Sequence, residues 1–279
     1  MLCFIWGSSF ILMRYSADEL SAPEIASLRI FSAGFVFLPF AISHIRHIPR
    51  KKIGFVILTG IFGNLLPAFL FALAITKNID SSLGGILNSL TPIFVVLIAI
   101  LFFKDNIRKQ KIIGVGIGFA GLLITMFQKD IHFNNSGYAL LIVLATAFYG
   151  ININLVSHYL KSIQPFHLAS VSLAFLTIPT ALVLWREGFF ELDLSQAHVY
   201  KPVIASVMLG IMGTAVATAL FYVLVLRAGA LFASLVTYGI PFVALFWGFI
   251  YKEKITFLAV VGLLIILFGV YLANREEKN

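Results

Sequence analysis

Long apolar runs separated by short polar gaps fill this chain from end to end. A helix needs about 20 apolar residues to cross a hydrocarbon core. Ten such runs are read, at residues 1–15, 25–45, 53–76, 81–103, 112–127, 137–157, 168–185, 202–226, 228–251 and 255–274. Strands of a membrane barrel would be about ten residues long and would alternate in polarity, and these runs do neither. The pattern predicts an all-α integral membrane protein with ten transmembrane helices. The run at 1–15 falls short of a crossing, which predicts a truncated first span completed by about five to ten residues upstream of Met1. The longest gap, residues 187–200, has no room for a soluble domain. The protein therefore works within its bundle.

The runs also repeat. Trp6-Gly7 matches Tyr149-Gly150 at an offset of 143, and Pro23 matches Pro165 at 142. Gly60-Ile61 and Gly63 match Gly210-Ile211 and Gly213 at 150. Asn88 and Pro92 correspond to Thr237 and Pro241 at 149, and Lys104-Asp105 to Lys252-Glu253 at 148. Gly114 and Gly121 match Gly262 and Gly269 at the same 148. So small a drift predicts two diverged copies, 1–127 and 137–274, each with five spans. Five is odd, so the second copy enters the membrane the other way up, giving two inverted five-helix repeats. Inverted repeats recur in secondary transporters, because two inverted halves can exchange conformations between outward-open and inward-open states.

Composition agrees. Hydrophobic residues make up 60%, charged residues 11%, and the mean hydropathy is +1.00, where a soluble domain carries roughly 25% charged residues. The net charge of +8 does not indicate a nucleic-acid partner, because Lys and Arg sit in the gaps rather than on a polar face. Counted by alternate gaps they divide 12 against 7, with Arg29 apart. The positive-inside rule then places both termini in the cytoplasm of a multi-pass protein of the cell (inner) membrane. The single cysteine, Cys3, permits no intrachain disulfide. Residues 1–15 lack the basic start of a signal peptide.

Arg29 is the only charged residue well inside a span, and an intramembrane cation is costly. Two readings stand: an anchor for an anionic group of a substrate, or a structural arginine bonding helix-end carbonyls or Glu24. Pro92 and Pro241 remove backbone donors at matching places, as helix breaks or gates, or simply as the prolines that membrane helices tolerate. Polar residues near them and in the third, sixth and eighth spans either line a cavity or bond between helices. Trp6, Tyr149, Tyr222 and Tyr238 are candidate aromatic walls. Asn88 and Thr237 are candidate partners for a substrate's polar end, with Asn64, Asn152 and Thr214 as further lining. The GxxxG pattern at 114–118 reads as close helix packing. His44, His47, His158 and His167 read as surface histidines, and no metal site or cofactor is expected. No phosphate loop, HExxH or nucleophile elbow appears.

These features resemble the EamA type of the drug/metabolite transporter superfamily. The resemblance rests on Trp6-Gly7-Ser8-Ser9-Phe10, on Pro23 through Arg29, on Leu87-Asn88-Ser89-Leu90-Thr91-Pro92 and on Gly114…Gly121. Pro241, Lys252-Glu253 and Gly262…Gly269 answer them in the second copy. Lys104-Asp105 departs from the family, which more often has Gly-Glu there. The resemblance implies a transporter or exporter of amino-acid-like or drug-like metabolites, with membrane lipid as its surroundings and no obligatory protein partner. The competing class is an integral-membrane enzyme acting on lipid or isoprenoid substrates, which would show paired acids or histidines at one face. Glu24, Asp80, Asp105 and Glu253 all lie at span ends. Facilitated movement, or coupling through the substrate's own charge, is therefore expected, with a neutral, zwitterionic or amphipathic substrate.

Overall fold

The structure is a computed structural model and describes residues 1–104, 109–126 and 133–274. Asp105 of the Lys104-Asp105 match lies outside the described residues. So do Phe127 at the end of the first repeat and Arg108, Lys129, Arg275 and Lys278 of the charge count.

The described residues form helices and no strand. In chain order they are α1 (Leu2–Ser16), α2 (Ala22–His44), α3 (Arg50–Gly60), α4 (Leu66–Thr76), α5 (Ser81–Asn88), α6 (Thr91–Phe103) and α7 (Lys109–Met126). There follow α8 (Phe133–Tyr159), α9 (Pro165–Phe175), α10 (Thr177–Arg186), α11 (Ala197–Gly210), α12 (Ala217–Leu235), α13 (Ile240–Ile250) and α14 (Phe257–Asn274). Six continuous helical stretches are long and apolar enough to cross a membrane: Ala22–His47, Arg50–Thr76, Ser81–Phe103, Gly137–Tyr159, Pro165–Arg186 and Ala197–Ala230. Ile112–Thr125, Val236–Ile250 and Phe257–Leu272 are shorter apolar helices, and α1 has 15 residues.

The helices are interrupted at matching places. A π-helical turn joins α3 to α4 at Ile61–Leu65, and another joins α11 to α12 at Ile211–Val216, 150 residues on. A turn at Ser89–Leu90 separates α5 from α6, and a 3-10 turn at Val236–Gly239 separates α12 from α13. Pro92 and Pro241 lie in the first turn of the helices that follow, where a missing N–H breaks no helical bond. The breaks therefore precede the prolines, which start new helices. Left-handed residues also pair. Asn78 (φ 62) answers Gly229 (φ 87), and Lys104 (φ 54) answers Lys252 (φ 57). For a residue with a side chain this conformation costs about 1–2 kcal/mol, so its recurrence at offsets of 151 and 148 is not a packing accident.

The packing is inside-out relative to a soluble protein. Phe102, Phe249, Phe257 and Phe268 are exposed, while Ser16, Thr59, Asn88, Asn154 and Ser206 are buried. Three of those buried groups, Ser16, Asn154 and Ser206, bond between helices. Asn154 Nδ2 donates to Val95 O (3.0 Å), and Ser206 Oγ donates to Ser16 Oγ (2.9 Å). The GxxxG stretch packs α7 on α14: a Cβ on Gly269 would run into Gly118 N and stand 2.6 Å from Gly114 O. In the bundle's interior α1 packs on α13 and α11, as α8 packs on α6 and α4, and α2 lies along α9.

Candidate functional site

A cavity of about 80 Å³ lies where α1, α2, α4, α8, α12, the two π turns and the two helix breaks meet. The duplicated irregularities make it. A Cβ on Gly63, in the first π turn, would run into the Asn152 side chain of α8, and one on Gly213, in the second, would stand 3.0 Å from Ser9 Oγ of α1. Each π turn thus abuts the first helix of the other half. Trp6 Nε1 donates to Gly213 O (3.0 Å), so the indole both walls the cavity and engages a π-turn carbonyl. Such bulges inside α-helices often mark functional sites.

Of the residues singled out from the sequence, Trp6, Arg29, Asn64, Asn88, Tyr149, Asn152, Tyr222 and Thr237 line this cavity. Thr214 stands behind it, accepting a 2.8 Å hydrogen bond from Arg29 Nε. Tyr238 is not part of the wall; it neighbours Thr237 on a helical turn, where adjacent side chains point apart. Pro92 and Pro241 also lie off the wall. Asn154 serves inter-helix bonding instead. Ser9, Phe10, Phe71 and Phe221 were not singled out yet line the cavity. The repeat offset carried the signal for them. Trp6/Tyr149, Ser9/Asn152 and Phe10/Ile153 pair at 143, Gly63/Gly213 and Phe71/Phe221 at 150, and Asn88/Thr237 and Thr91/Ile240 at 149.

The walls are aromatic. Trp6 meets Phe221 edge-on at 5.1 Å, Phe10 meets Phe71 edge-on at 5.5 Å, and Phe71 stacks near Tyr149 at 6.2 Å between centroids. Between them stand polar groups that are only partly used. Thr218 Oγ1 donates to Asn64 Oδ1 (3.1 Å), while Thr91 Oγ1 and Thr237 Oγ1 donate back to main-chain carbonyls. Asn64 Nδ2 and Asn88 Oδ1 are buried with no hydrogen-bond partner. A buried polar atom left unpaired costs about 1–3 kcal/mol, so its presence in a cavity wall calls for a reason.

Arg29 is the one charged side chain among the described residues of the wall. It lies seven residues into α2, about 10 Å along the axis, and is 8% exposed. Glu24 does not pair with it. The Glu24 carboxylate accepts from Ser21 N at 2.8 Å and completes the capping box that starts α2. Nor does Arg29 hold helix-end carbonyls: its Nε bonds Thr214, and among the described residues no acceptor engages either Nη. On insertion scales a central arginine costs about 2.5–3.5 kcal/mol, and here no counter-ion offsets it.

The acids sit at the rim of the bundle. Glu253, after α13, accepts hydrogen bonds from Ser81 N and Ser82 N (both 2.9 Å) and from Ser81 Oγ. It thereby caps α5 from the other half. Burial, then the neighbouring Glu253 charge, pushes the Asp80 carboxyl above its ordinary range. The histidines at another edge are less dispersed than expected. His167 stacks within 4.5 Å of His44 and 4.7 Å of His47 between centroids, and His44 Nδ1 bonds Ser170 Oγ at 2.7 Å.

With that geometry in view, likeness to known proteins is informative. The sequence profile described as the EamA-like transporter family matches residues 1–127 and again 136–275. An uncharacterized transporter of Archaeoglobus fulgidus is 29% identical over 276 residues, 98% of this chain and 95% of its own. An S-adenosylmethionine uptake transporter of Rickettsia felis is 27% identical over 128 residues, 44% of this chain and 42% of its own. An uncharacterized inner membrane transporter of Escherichia coli (strain K12) is 23% identical over 145 residues, 51% of this chain and 46% of its own. One solved crystal structure shares the fold with a TM-score of 0.61 at 17% identity, covering 97% of this chain and 96% of that one.

Proposed function

Because this chain belongs to the EamA-like transporter family, we propose that it is a secondary transporter of small organic metabolites, amino-acid-like or drug-like, working by alternating access. Its two five-span halves are inverted copies, and the cavity is the substrate site. The observation that carries this reading is the cavity's construction. It is enclosed by residues paired at the repeat offsets, and each half's π turn rests on the other half's first helix. If the halves exchange conformations, the same wall opens first to one side and then to the other. The termini face the cytoplasm, and the family is one of transporters.

Two measurements test it. Topology reporters fused after Arg50 and after Lys161 should both report cytoplasm; opposite answers would remove the inversion. The purified full chain in liposomes should exchange labelled for unlabelled metabolite across the bilayer. A chain that binds metabolites and never moves them is not a transporter.

A further inference from the structure

The cavity holds a cation and two unpaired amide atoms, and these define a ligand more narrowly than the fold does. Arg29 lines the cavity, and among the described residues no protein acceptor engages either of its Nη groups. Among the described residues no Asp or Glu lines the wall, so the side chains that do line it carry one net positive charge. Asn64 Nδ2 adds an unused donor and Asn88 Oδ1 an unused acceptor, on side chains 7% and 5% exposed. The remaining wall is aromatic and aliphatic. We infer that the substrates are small organic monoanions: a carboxylate for Arg29, a hydroxyl or comparable group that can both donate and accept for the two asparagines, and a compact apolar body for the rings.

The inference rests on the transport reading for its route across the membrane, and it narrows the substrate on grounds of charge. A monoanion neutralises the site, whereas a zwitterion leaves it positive and brings an ammonium with no carboxylate to receive it. A cation adds repulsion. A neutral ligand leaves the guanidinium unpaired. The expected order follows from the wall alone, and it differs from what the absence of deep carboxylates allowed, because Arg29 is a buried cation in that wall.

The test uses four compounds of one carbon skeleton: 2-hydroxy-4-methylpentanoate, its primary amide, leucine and leucinamide. Binding to the purified full chain is read by thermal shift, and movement by flux from liposomes. The hydroxy acid should bind at least about 10-fold more tightly than each of the other three. Leucine or the amide binding as well as the hydroxy acid, or no shift with the hydroxy acid at millimolar concentrations, overturns the inference. That ranking needs no variant to fold. Arg29→Met should raise the melting temperature of the ligand-free protein, since it removes an unpaired buried charge, and should abolish the hydroxy acid's shift. Arg29→Lys should retain part of the shift. An Arg29→Met protein that is less stable yet still binds the hydroxy acid makes Arg29 structural and ends the proposal. The two readings fail separately. Tight binding without flux sinks transport and leaves the anion site, while flux of leucine with no preference for the hydroxy acid sinks the anion site and leaves transport.

Discussion

The two halves of the molecule agree in backbone and disagree in side chain. The π turns, the helix breaks and the left-handed residues recur at offsets between 148 and 151. At the same spacing Asn64 answers Thr214, Asn88 answers Thr237, and Tyr222 answers Ala72. Arg29, at the Pro23/Pro165 offset of 142, answers Val171, which is buried in apolar packing away from the cavity wall. The irregular backbone is what an exchange of conformations between halves would need, because each turn must do in one state what its twin does in the other. The side chains are under no such constraint if, as proposed, the cargo lies in one cavity and has two unlike ends. Mechanical symmetry and chemical asymmetry are thus separable in this fold, and the variants below separate them.

The largest effect should come from moving the charge between halves. Arg29→Val should lower hydroxy-acid flux by about a hundredfold, the equivalent of about 2.7 kcal/mol. Adding Val171→Arg should not restore it. That position faces packed apolar side chains, where an arginine costs about 2.5–3.5 kcal/mol on insertion scales. Restored flux in the double variant would make the halves chemically interchangeable and break the comparison.

A smaller effect should distinguish the next pair. Asn88 Oδ1 has no partner, whereas Thr237 Oγ1 already donates to Ser234 O at 2.7 Å. Asn88→Leu should therefore cost about tenfold in flux, near 1.4 kcal/mol, with little loss of stability because an unpaired buried acceptor disappears. Thr237→Val should cost less than about threefold, as its hydroxyl is held by its own helix. Equal losses would show that both residues meet the cargo.

These contrasts mark how far the sequence could be read. Apolar runs placed the helices because length and hydropathy alone decide a crossing. The repeat offset placed the irregularities, and applied more widely it would also have found Ser9, Phe71 and Phe221. It could not reveal which amide atoms stay unpaired, since that depends on how each helix is turned about its axis. Arg29 can be read from the sequence as a partner of Glu24 or of helix-end carbonyls, because hydropathy sets the start of α2 only to within a few residues. The capping box of Ser21 and Glu24 fixes that start, occupies the supposed partner, and leaves the guanidinium buried. Tyr238 is a candidate aromatic wall from the sequence, but its neighbour Thr237 takes the cavity-facing place on the helical turn.

The smallest effect concerns an acid, Asp80, that has no counterpart in the other half. Asp80 precedes α5, and Glu253 reaches across from the other half to cap that helix at Ser81 and Ser82. The positions answering Asp80 in the second half fall on Gly229, Ala230 and Leu231, none of which titrates. Burial first, and the Glu253 charge second, raise the Asp80 carboxyl, with Arg14 and Lys254 opposing. A raised carboxyl favours this conformation in its protonated form. The contribution is fully present below the ordinary carboxylate value of about 4 and is lost as pH rises through the raised one. Solvent screening at this half-exposed site keeps it small. Acidifying from neutral pH should therefore raise the wild-type melting temperature relative to that of Asp80→Asn, whose side chain cannot titrate, and at neutral pH Asp80→Asn should be the more stable of the two. Glu253→Gln should shrink the acid-dependent difference without removing it, since burial is the larger cause, and should lower stability at neutral pH because a neutral amide caps α5 less well than a carboxylate. If wild type and Asp80→Asn melt in parallel across that range, the acid pair adds no pH dependence, and the asymmetry between the halves is confined to the cavity.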